Sequence, residues 1–158
     1  IGLAGPAGGK LVKILAPKFS KLSKAAKFSY LQKRLFGNLK AVKPRSLNRI
    51  QAPVGGISTL TGNTISSLNK NEVYVYVVDK SNKLLVAVRG SSGRSGVKHT
   101  QLTGGDSAKA AGELMVVNGK ILINNSSGRY RSQAADAVNR VKILLQGSGS
   151  PVDITGPL

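Results

Sequence analysis

The chain contains no cysteine and no tryptophan, a single histidine, and only six acidic residues among 158. Without cysteine there is no disulfide framework, no thiol nucleophile and no thiolate site for zinc or an iron–sulfur cluster. With His99 as the sole imidazole, a histidine-rich metal site within one chain is excluded too, and no cofactor is expected. No apolar run approaches the ~18 residues of a membrane span. The longest, such as Val73 to Val78, are strand-sized, so stable membrane insertion is not expected. Aromatic residues are 4% of the chain and are not spaced as a platform for stacking bases.

What is present is basic charge. Lys and Arg number 24, for a formal net charge of +18, while 41% of residues are hydrophobic. That hydrophobic share supports one ordinary domain with a modest core of Val, Leu, Ile and Ala, and argues against wholesale disorder. The chain opens on Ile rather than Met and is read as a fragment of something longer, so Ile1 to Ala16 is poor evidence for a signal peptide.

The charge is unevenly placed. Residues 1–50 carry twelve Lys/Arg and no acid, whereas all six acids fall after them. Lys18, Lys21, Lys24 and Lys27 recur every three residues while Phe19, Leu22, Ala26 and Tyr30 follow a helical rhythm. This spacing predicts an N-terminal basic helix over 18–36, with Pro17 before it and Gly37 as its stop. Three roles are open to it: a solvated lysine face, contact with phosphate or an anionic membrane surface, or a delivery or linker segment. Pro44 to Gly62, rich in Pro, Gly, Ser and Thr, reads as a linker.

Beyond it the rhythm becomes extended. Val73 to Val78 and Lys83 to Arg89, joined by Asp79-Lys80-Ser81-Asn82, predict one hairpin. Glu113 to Val117 and Lys120 to Asn124 predict another, because Asn118-Gly119 suits the positive φ values of a type I′ turn. A final helix runs from a Ser132 cap to about Gln146, with Ala134, Ala137, Val138, Val141 and Leu145 on its apolar face and Asp136, Arg140 and Lys142 off it. The expected fold is therefore α+β, with an antiparallel sheet of about four strands and a C-terminal helix. The expected division is a basic segment over 1–50 for delivery or docking, a compact domain over 51–146, and a flexible Gly/Ser/Pro-rich tail over 147–158.

Chemistry-bearing residues gather in two loops. Between the hairpins lie Arg89, Arg94, Lys98, His99 and Thr100; after the second come Ser127, Arg129, Tyr130 and Arg131. No phosphate-binding loop signature is present: Gly90-Ser-Ser-Gly93 and Gly104-Gly105 lack both the Lys-Ser/Thr ending and the dinucleotide spacing. The inventory suits metal-independent RNA cleavage, with His99 as acid or base and Arg89, Lys98, Arg129 and Arg131 on the phosphorane. Ser127, Thr100 or Tyr130 could donate to a non-bridging oxygen. Against this stands the reading of His99 as a loop histidine that merely hydrogen-bonds locally.

The string Lys98-His99-Thr-Gln-Leu-Thr-Gly104-Gly105, Ala110-Ala111-Gly112-Glu113, Asn118-Gly119-Lys120 and Ser126-Ser127-Gly128-Arg129-Tyr130 resembles a pattern of five short elements in order. Over residues 97–131 it is similar to C-terminal toxin domains of bacterial polymorphic and contact-dependent growth inhibition systems, and to a segment of plant IQ-motif calmodulin-binding proteins. The order of helix, sheet and helix is also similar to the barnase, EndoU, colicin and RelE group of RNase toxins. That resemblance implies a secreted or cell-surface-delivered endoribonuclease acting in the target-cell cytoplasm on RNA, with tRNA favoured. It further implies catalytic roles for His99, Lys98, Ser127 and Tyr130, substrate contacts from Arg89, Arg94, Thr100, Arg129 and Arg131, and an acidic cognate immunity protein as partner. The pattern has histidine where this chain has Arg129, which stays protonated and cannot act as base. Two further readings stay open: an ADP-ribosyltransferase toxin using Arg89 or His99 with Tyr130 and Glu113, and a non-enzymatic basic module for nucleic acid or membrane. The IQ motif is absent from the chain, so calmodulin binding is not carried over.

Overall fold

The computed structural model describes residues 19, 21–45, 55–91 and 96–158. Its centre is a β-hairpin of β2 (Val73–Asp79) and β3 (Leu84–Val88), which is antiparallel as the alternation of Val and Tyr predicts. The second hairpin joins β4 (Ala108–Val117) to β5 (Lys120–Ile123). Asn118 and Gly119 both have positive φ there, 51° and 76°. Two further strands complete the sheet: β1 (Ser58–Leu60) against β3, and β6 (Val152–Ile154) parallel to β5. The order is β1-β3-β2-β4-β5-β6. The α+β class stands, but the expected antiparallel sheet of four strands is a mixed sheet of six. Val152–Ile154, in the stretch whose composition suggests a loose tail, is its parallel edge strand.

Helix α1 (Lys24–Phe36) begins later than its periodicity suggests, because the Ser23 hydroxyl accepts the Ala26 N–H and caps it. Gly37 ends it. The late start also changes the face that packs. Phe28, Leu31, Leu35 and Phe36, spaced i, i+3, i+7, i+8, enter the core, whereas Leu22 is 40% exposed and Phe19 and Tyr30 pack at the margin. A short helix α2 (His99–Thr103) and a final helix α3 (Ala137–Gly147) complete the fold. Helix α3 starts at Ala137 rather than after Ser132. Arg140, expected off its apolar face, is buried and donates to the Leu35 carbonyl at 2.7 Å.

Both faces of the sheet are covered. Helices α1 and α3 pack on one, against Tyr74, Tyr76, Val78, Leu114 and Ile123; α2 and Tyr130 cover the other, against Val75, Val77, Ala87 and Ala111. That is why β2 is a nearly unbroken apolar run: its two sets of alternating side chains enter two different cores. A register shift between Val78 and Asp79 pairs these with Ala110 and Ala108 and leaves Lys109 as the extra residue of a bulge. The bulge turns the Lys109 ammonium to the Phe36 carbonyl, 2.7 Å away, and to the Asn82 side chain. Two buried cations, Lys109 and Arg140, thus donate to the last carbonyls of α1, where the helix dipole favours positive charge.

Because α1 contributes its apolar face to the main core, truncating Phe36, which is 0% exposed, should destabilise the whole domain. Phe36→Ala is expected to cost about 3–5 kcal/mol, read as a lowered urea midpoint that reports the sheet as well as the helix. Loss of helical signal with the sheet's stability unchanged would contradict a shared core.

Candidate functional site

The middle of β4 and the start of the segment after β5 meet at a hydrogen-bonded knot. Asn124, 2% exposed, uses every donor and acceptor of its side chain. Its Oδ1 accepts from the Glu113 N–H at 2.9 Å and the Ser126 N–H at 2.9 Å, and its Nδ2 donates to Glu113 Oε1 at 3.0 Å and to the Gly156 carbonyl at 3.0 Å. The Tyr76 hydroxyl donates to the Asn124 carbonyl at 2.7 Å, its pKa pushed well above the usual tyrosine value by burial, so it remains a donor. Gly112 makes this possible. Directly opposite Tyr76 in the register, it has no side chain, and a Cβ there would fall on the Asn124 carbonyl oxygen and the Tyr76 ring.

Glu113 faces the α2 side of the sheet. Arg89 Nη1 donates to its Oε2 at 2.6 Å, while the Leu158 N–H at 2.8 Å and Asn124 both donate to Oε1. Burial works against this carboxylate, but those three donors outweigh it and hold the pKa below its usual value. Arg89 itself is fixed by its backbone: its N–H donates to the Val73 carbonyl and its carbonyl accepts from Val97, both at 2.9 Å. Its Nε is buried without a hydrogen-bond partner.

His99 opens α2 and is 8% exposed. The Gly112 carbonyl, 2.8 Å from Nε2, can only accept, so Nε2 carries the proton and Nδ1 accepts from the Ser127 hydroxyl at 3.2 Å. Ser127 Oγ in turn accepts the Tyr130 N–H at 3.2 Å. Burial, with help from the Lys98 charge, pulls the His99 pKa below 6.5 and keeps the ring neutral, although the Gly112 bond and the Glu113 charge act the other way.

Over these groups lies a cleft of about 900 Å³. Among the described residues Arg45, Arg89, Lys98 and Arg129 line it with one acidic side chain, Glu113, and the Ser126–Gly128 loop is one wall. The fold therefore brings together Arg89, Lys98, His99, Ser127 and Arg129. Three other expected site residues lie elsewhere. Tyr130 is 0% exposed, its hydroxyl donating to the Asp106 carbonyl at 2.6 Å and sharing a 2.7 Å bond with Thr103 Oγ1. Thr100 is buried inside α2 with Oγ1 unpartnered, and Arg131 is exposed outside the cleft. Arg94 lies outside the described residues. Arg45 and Asn124 were not among the expected site residues. Arg45 arrives from the basic third of the chain through an N–H bond to the Arg129 carbonyl, a pairing across more than eighty residues that no local pattern signals.

Fold and site together define an α+β domain with a cationic cleft organised by buried polar groups. The family model described as the IQ motif-containing protein middle domain matches residues 54–137, just over half of the chain, and the chain belongs to that family. No curated protein and no solved structure matches it.

This membership overturns the toxin resemblance. Of the two likenesses carried by residues 97–131, the match extends the one to IQ-motif proteins. The endoribonuclease reading falls with the toxin, as does the ADP-ribosyltransferase reading, and so do RNA and an acidic immunity protein as expected partners. The geometry supplies the physical reason. Both nitrogens of His99 are committed, one of them to a main-chain carbonyl, and the Tyr130 hydroxyl is locked in a core. Among the described residues no group of three or more His, Cys, Asp or Glu could hold a metal ion. The family match also displaces the reading of the chain as a basic module for nucleic acid or membrane. Among the described residues no helix is long and apolar enough to cross a membrane.

Two measurements check the knot. Asn124→Asp puts a second carboxylate against Glu113 and removes two donors, so it should cost about 3 kcal/mol or more, seen as a collapse of the urea midpoint at neutral pH that partly recovers on acidification. His99 gives the opposite pH signature. Its folded pKa lies below 6.5, so the unfolded chain takes up the proton first and stability falls as pH drops below 6.5. The Glu113 contribution, from a pKa held below 4.5, is lost only at lower pH. Urea midpoints between about pH 7.5 and 5.5 should therefore decline in the unmodified chain more steeply than in His99→Gln; equal slopes would contradict a buried neutral imidazole.

Proposed function

We propose that this domain is a non-catalytic binding module whose cleft takes a small anionic ligand. The observation that carries this reading is the charge imbalance at a formed cavity: among the described residues Arg45, Arg89, Lys98 and Arg129 line it, and the one acidic side chain there, Glu113, is already satisfied by three donors. Concave sites of a few hundred to a thousand Å³ with a few fixed polar groups are where small ligands bind. Of the expected substrate contacts, Arg89 and Arg129 keep an anion-binding role in this reading; Lys98 and Ser127 join them as binding rather than catalytic groups. His99 acts as a positioning residue for Ser127. Membership among middle domains of IQ motif-containing proteins supports a role as a module of a longer protein.

Pyrophosphate and citrate, titrated at constant ionic strength, should raise the thermal midpoint saturably, as any ligand that binds only the folded state does. The double variant Arg45→Gln/Arg129→Gln should lose at least about tenfold in affinity, since hydrogen bonds to charged groups are worth about 1.5–3 kcal/mol. No response to either anion would remove the reading.

A further inference from the structure

We infer that residues 155–158 are a strap whose docking completes the cleft, so that strap closure and anion binding favour one another. This rests on the anion-binding reading and adds the regulation of that same site. Strand β6 itself is anchored. Val152, 4% exposed, belongs to the main core, and the Ile121 N–H donates to the Pro151 carbonyl at 2.9 Å. Beyond Ile154 the attachment changes in kind. None of residues 155–158 is buried: Gly156 and Pro157 are exposed, Thr155 and Leu158 half-buried. Three hydrogen bonds hold the segment. The Thr155 N–H donates to the Ile123 carbonyl at 2.8 Å, Asn124 Nδ2 to the Gly156 carbonyl at 3.0 Å, and the Leu158 N–H to Glu113 Oε1 at 2.8 Å. A segment held by polar bonds without a buried side chain opens at a small fraction of the free energy of global unfolding.

These bonds carry the segment inward from the edge of the sheet. Its partners run from Ile123 of β5 through Asn124 to Glu113 of β4, and Pro157 and Leu158 join the lining of the cleft. Lifting it removes that part of the lining, takes one of the two donors from Glu113 Oε1, and leaves Asn124 Nδ2 short of an acceptor. Glu113 is the acidic side chain of the cleft, and a carboxylate with fewer donors presents more uncompensated negative charge to an incoming anion. The docked strap is therefore the binding-competent state. By reciprocity a bound anion holds the strap down, and whatever draws the strap away releases the anion.

Isothermal titration with pyrophosphate and amide hydrogen exchange, both on the full chain, test this. Without ligand the Leu158 amide should exchange faster than that of Ile121, by local opening of the strap; saturating pyrophosphate should slow it at least about fivefold. Leu158→Pro deletes the donor to Glu113 and should weaken pyrophosphate binding at least about fivefold, because apparent affinity falls with the docked fraction. Leu158→Ala keeps the N–H and should lose less. Ligand-free urea midpoints establish that both variants are folded. The coupling is overturned, with the anion-binding reading left standing, if Leu158→Pro binds pyrophosphate as well as or better than the unmodified chain, or if the two variants lose equally. A Leu158 amide that exchanges no faster than Ile121, or that ignores bound pyrophosphate, overturns it as well. Failure of the unmodified chain to bind either pyrophosphate or citrate would overturn both.

Discussion

Asn124 is the residue on which the site depends. A buried primary amide with an unmet donor or acceptor costs free energy comparable to a lost hydrogen bond, so its position tolerates only a complete set of partners. Here the set spans the molecule: Glu113 from the neighbouring strand, Ser126 from the loop that forms one wall of the cleft, and Gly156 from beyond β6. With Tyr76 donating to its carbonyl, the same residue also fixes the strand at the sheet's centre. The small residue at Gly112 is the other half of this constraint, because any side chain there would occupy the space that brings the Asn124 carbonyl to β4.

Not all of the chain's positive charge is aimed at a partner. Lys109 and Arg140 are buried and direct their charge at main-chain carbonyls at the end of α1. The cost of desolvating an ammonium is visible in the lowered pKa of Lys109, and it is offset by two acceptors, the Phe36 carbonyl at the helix end and the Asn82 side chain. The effect is to lock the basic helix to the sheet from two directions. Lys24, Lys33, Arg34 and Lys40 remain on the outside, where they enlarge the positive field without being part of the cleft.

Local pattern was enough to read the two hairpins, because alternation and an Asn-Gly turn are written in consecutive residues. It was not enough for the first half of β4. Around the bulged Lys109, Ala108, Ala110, Ala111 and Gly112 are small for a reason that lies in what packs against them: a helix on one face, Tyr130 on the other, and Tyr76 over the glycine. The three-residue strands β1 and β6 have too few positions to show a period at all. For the site, the clustering of Arg89, Lys98, His99, Ser127 and Arg129 was legible because two loops of similar composition bracket one hairpin. The role of His99 was not, since a carbonyl on Gly112 decides whether an imidazole is a proton carrier or a strut. The toxin resemblance went astray at the same point, for it assigned chemistry to residue types without their hydrogen-bond partners.

The path from knot to cleft explains why a domain with one histidine keeps it in the neutral form. The loop that carries Arg129 is held at its start by Asn124, through Ser126, and at its middle by His99, through Ser127. Arg129 then holds Arg45 by its carbonyl, so the position of the most distant cation in sequence is set by a chain of bonds that begins in the sheet. A protonated imidazole could not accept from Ser127, and it would add a fifth positive charge beside Lys98. Burial, by keeping the ring uncharged, keeps that bond directional and limits repulsion among the cations before any ligand arrives. The same argument accounts for Glu113. A fully hydrogen-bonded carboxylate under a ring of cations stabilises the empty cleft, yet with its oxygens already occupied by Arg89, Asn124 and Leu158 it leaves the net field of the cleft positive.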